Sequence, residues 1–219
     1  MQKTNTHALS VHGLALALSC AVLAPAAAQP AQAWTPAGAT ACDFGAWTQD
    51  TKPAIRVHAA PAATAAVVGS LPTAHNDSDA EYYSVNFRVS EARDGWLKIS
   101  DANDDDSAGD HTRPRPVYRG IGWIRSDDAR IGIQSARGYA RPDSTSARLL
   151  DLGDDWLTDR GTIRNIVACH APWVLLDYEI NRGTGMQILP EAQRTRGRAW
   201  FRGLCSNAVT TCDMRSVDD

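Results

Sequence analysis

Cys169 and His170 are the one thiol and imidazole that stand side by side in this sequence, and a thiolate beside a base is the pattern of nucleophilic catalysis. The segment around them reads as a β-strand, however, in which adjacent side chains point to opposite faces, so the two do not form a couple with each other. The sequence contains no Gly-x-Ser-x-Gly elbow, no His-Glu-x-x-His and no Gly-rich phosphate loop ahead of a helix. The acidic run Asp101-Ala102-Asn103-Asp104-Asp105-Asp106 suggests oxygen ligands for calcium, but Asp106 stands where that loop needs Gly and Thr112 where it needs a bidentate Glu. His58, His75, His111 and His170 show no paired metal spacing. The expectation is a non-enzymatic protein with no catalytic residue, no metal and no cofactor.

Chemistry of another kind is carried by cysteine. Residues 1–28 read as a signal peptide: Lys3 supplies the positive end, Gly13 to Leu23 the apolar run, and Ala26-Ala27-Ala28 the small residues before the cut, with Ala31-Gln32-Ala33 as a second site. Acylation of Cys20 is the rival reading, disfavoured because Ala17 occupies the usual leucine position and the apolar run continues past the cysteine. Export leaves Cys42, Cys169, Cys205 and Cys212, an even number bound for an oxidising periplasmic or extracellular compartment. Three pairings are possible. Cys42 with Cys169 and Cys205 with Cys212 is favoured, contributing about 5 and about 2.5 kcal/mol on the chain-entropy model.

Charge excludes some partners. From Ala33 onward there are 21 basic and 25 acidic residues, so the net charge is 21 − 25 = −4. A nucleic-acid binder needs a positive excess to displace counterions, so nucleic acid is not an expected partner. No later stretch has the 18 apolar residues of a membrane span. Arg194, Arg196, Arg198 and Arg202 form a basic run, read as a polar segment balanced by Asp177 and Glu179, with an anionic partner as the other possibility.

The elements that position these residues are short strands. Residues 29–41 read as a flexible lead-in rich in Ala, Pro and Thr. Strands are expected at 55–60, 67–71, 82–90, 96–99 and 120–125, and again at 136–140, 146–150, 162–169, 173–180 and 198–203. Tyr83, Val85, Phe87 and Val89 alternate with polar neighbours, and Asp94-Gly95 is a hairpin signal. The two series share aromatic punctuation: Trp96 to Trp123 and Trp173 to Trp200 are both 27 residues apart, and the openers ending in Pro61 and Pro142 are each followed ten residues later by Leu71 and Leu152. The chain reads as one small β unit written twice, over 42–134 and 135–219.

The residues Ile55-Arg56-Val57-His58-Ala59-Ala60-Pro61, Val67-Val68-Gly69-Ser70-Leu71, Asp94-Gly95-Trp96-Leu97-Lys98-Ile99 and Gly120-Ile121-Gly122-Trp123-Ile124 resemble the bacterial Src-homology-3-like (SH3-like, or SH3b) domain. The resemblance implies an all-β fold of two tandem small SH3-like barrels, disulfide-linked, the second diverged because Gly138, Pro172 and Ala199 replace its valine and glycines. It also implies attachment to peptidoglycan peptides or to an envelope protein partner. Strand alternation puts Trp96 with Lys98, Trp123 with Arg125 and Trp200 with Arg202 on outward faces, opposite the inward aliphatics. Outward indoles need a cover, either a packing seam or a ligand. In the ligand reading, Trp96, Tyr82, Tyr118 and Trp123 form a stacking groove. An inhibitor or immunity-type protein that blocks a toxin or hydrolase is the alternative function.

Overall fold

A computed structural model describes residues 31–48, 54–72, 85–104, 115–206 and 217–218. Residues 1–28, expected to be a signal peptide, together with Tyr82, His75, His111, the acidic run from Asp105 on and Cys212, lie outside the described residues.

The fold is all-β. The first sheet comprises β1 (Thr40–Thr48), β2 (Ala54–His58), β3 (Val67–Pro72), β4 (Val85–Arg93), β5 (Trp96–Asp104), β6 (Arg115–Tyr118), β7 (Gly122–Arg125) and β8 (Ala129–Arg130). After β9 (Gly132–Ile133) come β10 (Arg137–Tyr139), β11 (Arg148–Asp151), the one-turn helix α1 (Leu157–Arg160), β12 (Gly161–His170), β13 (Trp173–Ile180), β14 (Thr195–Phe201) and β15 (Leu204–Cys205). The first sheet runs β3-β2-β7-β5-β4-β1-β8, with β6 on β5; the second runs β11-β10-β14-β13-β12; β15 pairs β9.

Local chemistry accounts for the hairpins. Asp94 and Gly95 both take positive φ (49° and 78°), which matches the twist of the strands they join and puts Arg93 opposite Trp96. In β4, Val85, Phe87 and Val89 are buried while Arg88 and Ser90 are exposed, so the period of two selects the core face.

Three sequence expectations differ from what is seen. Residues 101–104, expected as the start of a loop, extend β5 and pair with β4 and β6, because neighbouring strands satisfy backbone groups that a polar composition alone would leave to water. Secondly, the lead-in over 29–41 is anchored from Trp34, whose N–H donates to the Ala140 carbonyl at 2.7 Å, and β1 already starts at Thr40. Thirdly, neither sheet closes into a barrel among the described residues. The inner faces share one apolar cluster, in which Ile55, Val57, Leu97 and Ile124 of the first sheet pack with Ile166, Leu176 and Phe201 of the second. A sheet of this size buries little apolar area alone, and merging the two inner faces enlarges the core.

Covalent and polar links cross between the sheets. Cys42 on β1 is bonded to Cys169 on β12, with the Cα atoms 5.3 Å apart. Beside the bridge, the Cys169 N–H donates to Thr40 Oγ1 at 3.0 Å, and Ser126 Oγ meets Asn165 Oδ1 at 3.2 Å. Cys205 is disulfide-bonded as well.

Candidate functional site

The outward face of β5 and β7 is built by register. Trp96 lies opposite Arg125 and Lys98 opposite Trp123, so both indoles and both cations share one side while Leu97 and Ile124 share the other. The Arg125 guanidinium sits 5.2 Å from the Trp96 ring centre and the Lys98 ammonium 5.9 Å from that of Trp123. His58, paired with Trp123 across β2 and β7, places its ring edge-on to Trp96 at 5.1 Å, and its Nδ1 lies 3.1 Å from the Ala65 carbonyl. Trp96 and Trp123 belong to neither apolar cluster, as the strand alternation leads one to expect. They are nevertheless only 4% and 7% exposed, so Trp96 is not the open stacking surface of the expected groove. Tyr118 is placed apart from that pair in its packing: its ring lies over Gly69 and Gly120, where an added Cβ would come within 2.4 and 2.6 Å of it, and its hydroxyl donates to the Ile121 carbonyl.

The same arrangement recurs on the second sheet. Leu175 lies opposite Trp200 as Lys98 does opposite Trp123, and Arg202 stacks over Trp173 at 5.3 Å as Arg125 does over Trp96. Tyr139, paired with Trp200 across β10 and β14, is edge-on to Trp173 at 5.5 Å, in the place of His58. The turns match too: Ala59 N–H donates to Ala66 O and Ala140 N–H to Ala147 O, both at 2.8 Å.

One difference between the two faces is informative. On the second, Leu175 replaces the lysine, and the chain's own N-terminal arm completes the cover. Trp34 stacks on Trp200 at 5.9 Å, donates its N–H to Ala140 and accepts the Trp200 indole N–H on its carbonyl at 2.8 Å. A segment of the arm is thus held by one aromatic stack, one backbone-to-backbone hydrogen bond and one hydrogen bond from the Trp200 indole. On the first sheet the corresponding residue, Ala59, is exposed, and Lys98 lies where the arm's neighbour would be apolar. The sequence signal for this was the 27-residue spacing; nothing in residues 29–41 marked Trp34 as a docking residue.

No protein-family model matches this chain, and no curated protein or solved structure matches it. Among the described residues no group of three or more His, Cys, Asp or Glu is placed to hold a metal ion, and no helix is long and apolar enough to cross a membrane.

Two further features border the sheets. A cleft of about 390 Å³ lies beside the Cys42–Cys169 bridge, walled by Phe44, Pro172, Trp173 and Leu204. On the second sheet, the basic run is balanced largely as its sequence suggests: Arg198 holds Asp177 through two bonds of 2.6 and 2.9 Å, while Arg196 and Arg194 meet Glu179 at 2.7 and 3.6 Å. Arg164 joins them at 2.9 Å, and Arg202 turns instead to Asp218 and the Val217 carbonyl. The Glu179 side chain is wholly covered. Its bond from Arg196, then that from Arg164, holds its carboxyl below the ordinary value of about 4.5, against the opposing effect of burial.

A depressed folded-state value means that the stability contributed by this cluster is fully present above the ordinary glutamate range and is lost as pH falls through the lower, folded one. Melting temperature is therefore expected to fall from pH 5 towards pH 3 more steeply in the wild type than in Glu179→Gln. Equal slopes in the two proteins would remove Glu179 from the acid response.

Proposed function

We propose that this protein is an exported, non-enzymatic binding protein of two SH3-like units, over residues 42–134 and 135–219, that holds an extended aromatic-bearing segment of an envelope protein partner. The recurrence of His58, Trp96, Trp123 and Arg125 as Tyr139, Trp173, Trp200 and Arg202 supports the two-unit reading. The bridge between Cys42 and Cys169 is compatible with export.

The observation that carries the reading is the docked arm. The second unit holds Ala33-Trp34-Thr35 in cis, and the first unit has the same carbonyl, on exposed Ala59, and the same indole, on Trp123, which is 7% exposed with Lys98 over its ring, so a segment supplied in trans reaches it by displacing the lysine. Main-chain hydrogen bonding combined with a side-chain anchor is a general mode of peptide capture. An aromatic anchor favours a protein segment over a wall peptide.

The test uses the hexapeptide of residues 31–36, Ala-Gln-Ala-Trp-Thr-Pro, added to the oxidised protein. Amide and indole resonances of Ala59, Ala60 and Trp123 are expected to shift, and the peptide with Ala in place of Trp to leave them unmoved. Lys98→Leu, which copies Leu175, is expected to tighten binding about fivefold, roughly 1 kcal/mol of added apolar contact. Shifts confined to Ala140 and Trp200 would mean that the peptide only competes with the arm, and the reading would fail. Cosedimentation with purified sacculi separates the partner class: retention in the pellet assigns the protein to the wall instead.

A further inference from the structure

A second cleft, about 460 Å³ in volume, opens between the N-terminal arm and β14, with Thr35, Tyr178, Arg196, Gly197 and Arg198 in its walls. It shares no lining residue with the cleft beside the disulfide. Its floor is an unused strand edge. β14 pairs with β13 from Thr195 to Phe201, but with β10 only through Tyr139 and Trp200, so the backbone around Gly197 has no strand on the cleft side among the described residues. Glycine at 197 leaves room for the Tyr178 hydroxyl in this wall, and an added Cβ would require the tyrosine ring to shift.

Charge is arranged to match. Arg164, Arg194, Arg196 and Arg198 surround two carboxylates, Asp177 and Glu179, which leaves two positive charges in excess. Arg196 is anchored through Nε on the covered Glu179, yet 74% of its side chain is exposed, and among the described residues its terminal nitrogens make no hydrogen bond. A guanidinium fixed at one nitrogen and open at the other two is preorganised for bidentate capture of a carboxylate.

We propose that this cleft binds an acidic peptide, whose carboxylate sits on the terminal nitrogens of Arg196 and whose backbone pairs with the free edge of β14 at Gly197. Glu179 acts as the positioning residue: it holds the Arg196 fork in place and gathers Arg164 and Arg194 behind it. The chain past Ala33 carries a net charge of −4 with this patch included, so the remainder carries −4 − 2 = −6, which directs an acidic ligand to this patch and away from the remaining surface.

An acetylated Gly-Glu-Gly-Glu peptide with free carboxylates, compared with its Gln-substituted and C-terminally amidated counterpart, is the probe, followed by calorimetry and by the Gly197 amide resonance. The acidic peptide is expected to bind at least tenfold more tightly than the neutral one and to shift Gly197. Arg196→Gln is expected to lose at least tenfold, Arg196→Lys to fall between it and the wild type, and Arg141→Gln, an exposed arginine on the β10–β11 turn, to bind as the wild type does. Equal affinity for the neutral peptide overturns the proposal, as does wild-type affinity in both Arg196 variants. Displacement of the peptide by an equal concentration of inorganic phosphate also overturns it, because the site would then be one for small anions.

Discussion

Replacing both bridging cysteines, Cys42→Ser with Cys169→Ser, is expected to lower the unfolding free energy by about 5 kcal/mol and the melting temperature by about 10–20 °C. The bridge closes a loop of sequence separation 127, so in the chain-entropy model it removes a large part of the conformational freedom of the unfolded chain. It also joins β1 of the first sheet to β12 of the second, where the Cys169 N–H already bonds Thr40. Equilibrium denaturation of the oxidised wild type and the double variant measures the difference. A loss below about 1 kcal/mol would mean that the shared apolar cluster alone registers the two sheets and that the bridge adds little.

Trp96→Ala is expected to cost about 3–5 kcal/mol, the range for removing a buried aromatic side chain. Trp96 lies outside the main apolar cluster but is 4% exposed, and its loss strips the support from the Arg125 guanidinium and the His58 ring as well as leaving a cavity. Trp96→Phe keeps most of the contact and is expected to cost about 1 kcal/mol. The measurement separates two roles. A variant that melts like the wild type but no longer binds the hexapeptide would return Trp96 to a ligand groove; a variant that melts early and, at a temperature where it is still folded, binds normally assigns it to structure.

The strands were legible because their signals are local. Alternation in β4, the Asp94-Gly95 turn and the Pro-terminated openers act within a few residues, and they placed β2, β3, β4, β5, β7 and their second-half counterparts close to where they lie. β1 was missed: Thr40-Ala41-Cys42-Asp43 lacks clear alternation and follows an Ala- and Pro-rich run, so only its pairing with β4 and β8 makes it a strand. β6, Arg115–Tyr118, was missed for a similar reason, since it holds a proline and exists as a partner of β5. Of the candidate site, the outward direction of the indoles was readable from the pleat, but their cover was not. A cation across the strand, or an arm from another part of the chain, leaves no periodic mark.

Taken alone, the amino-acid sequence determined an all-β chain and the side of each strand its indoles take, because these follow from residue-by-residue alternation and turn chemistry; it favoured Cys42 with Cys169 among three possible pairings, and the structure decided for that bond. The tertiary structure alone decided that two open sheets share one apolar cluster, that Trp34 docks on Trp200 at a separation of 166 residues, and that three arginines converge on a covered Glu179. Those contacts join residues far apart in the chain, and they form only once the burial of both inner faces has brought distant strands together.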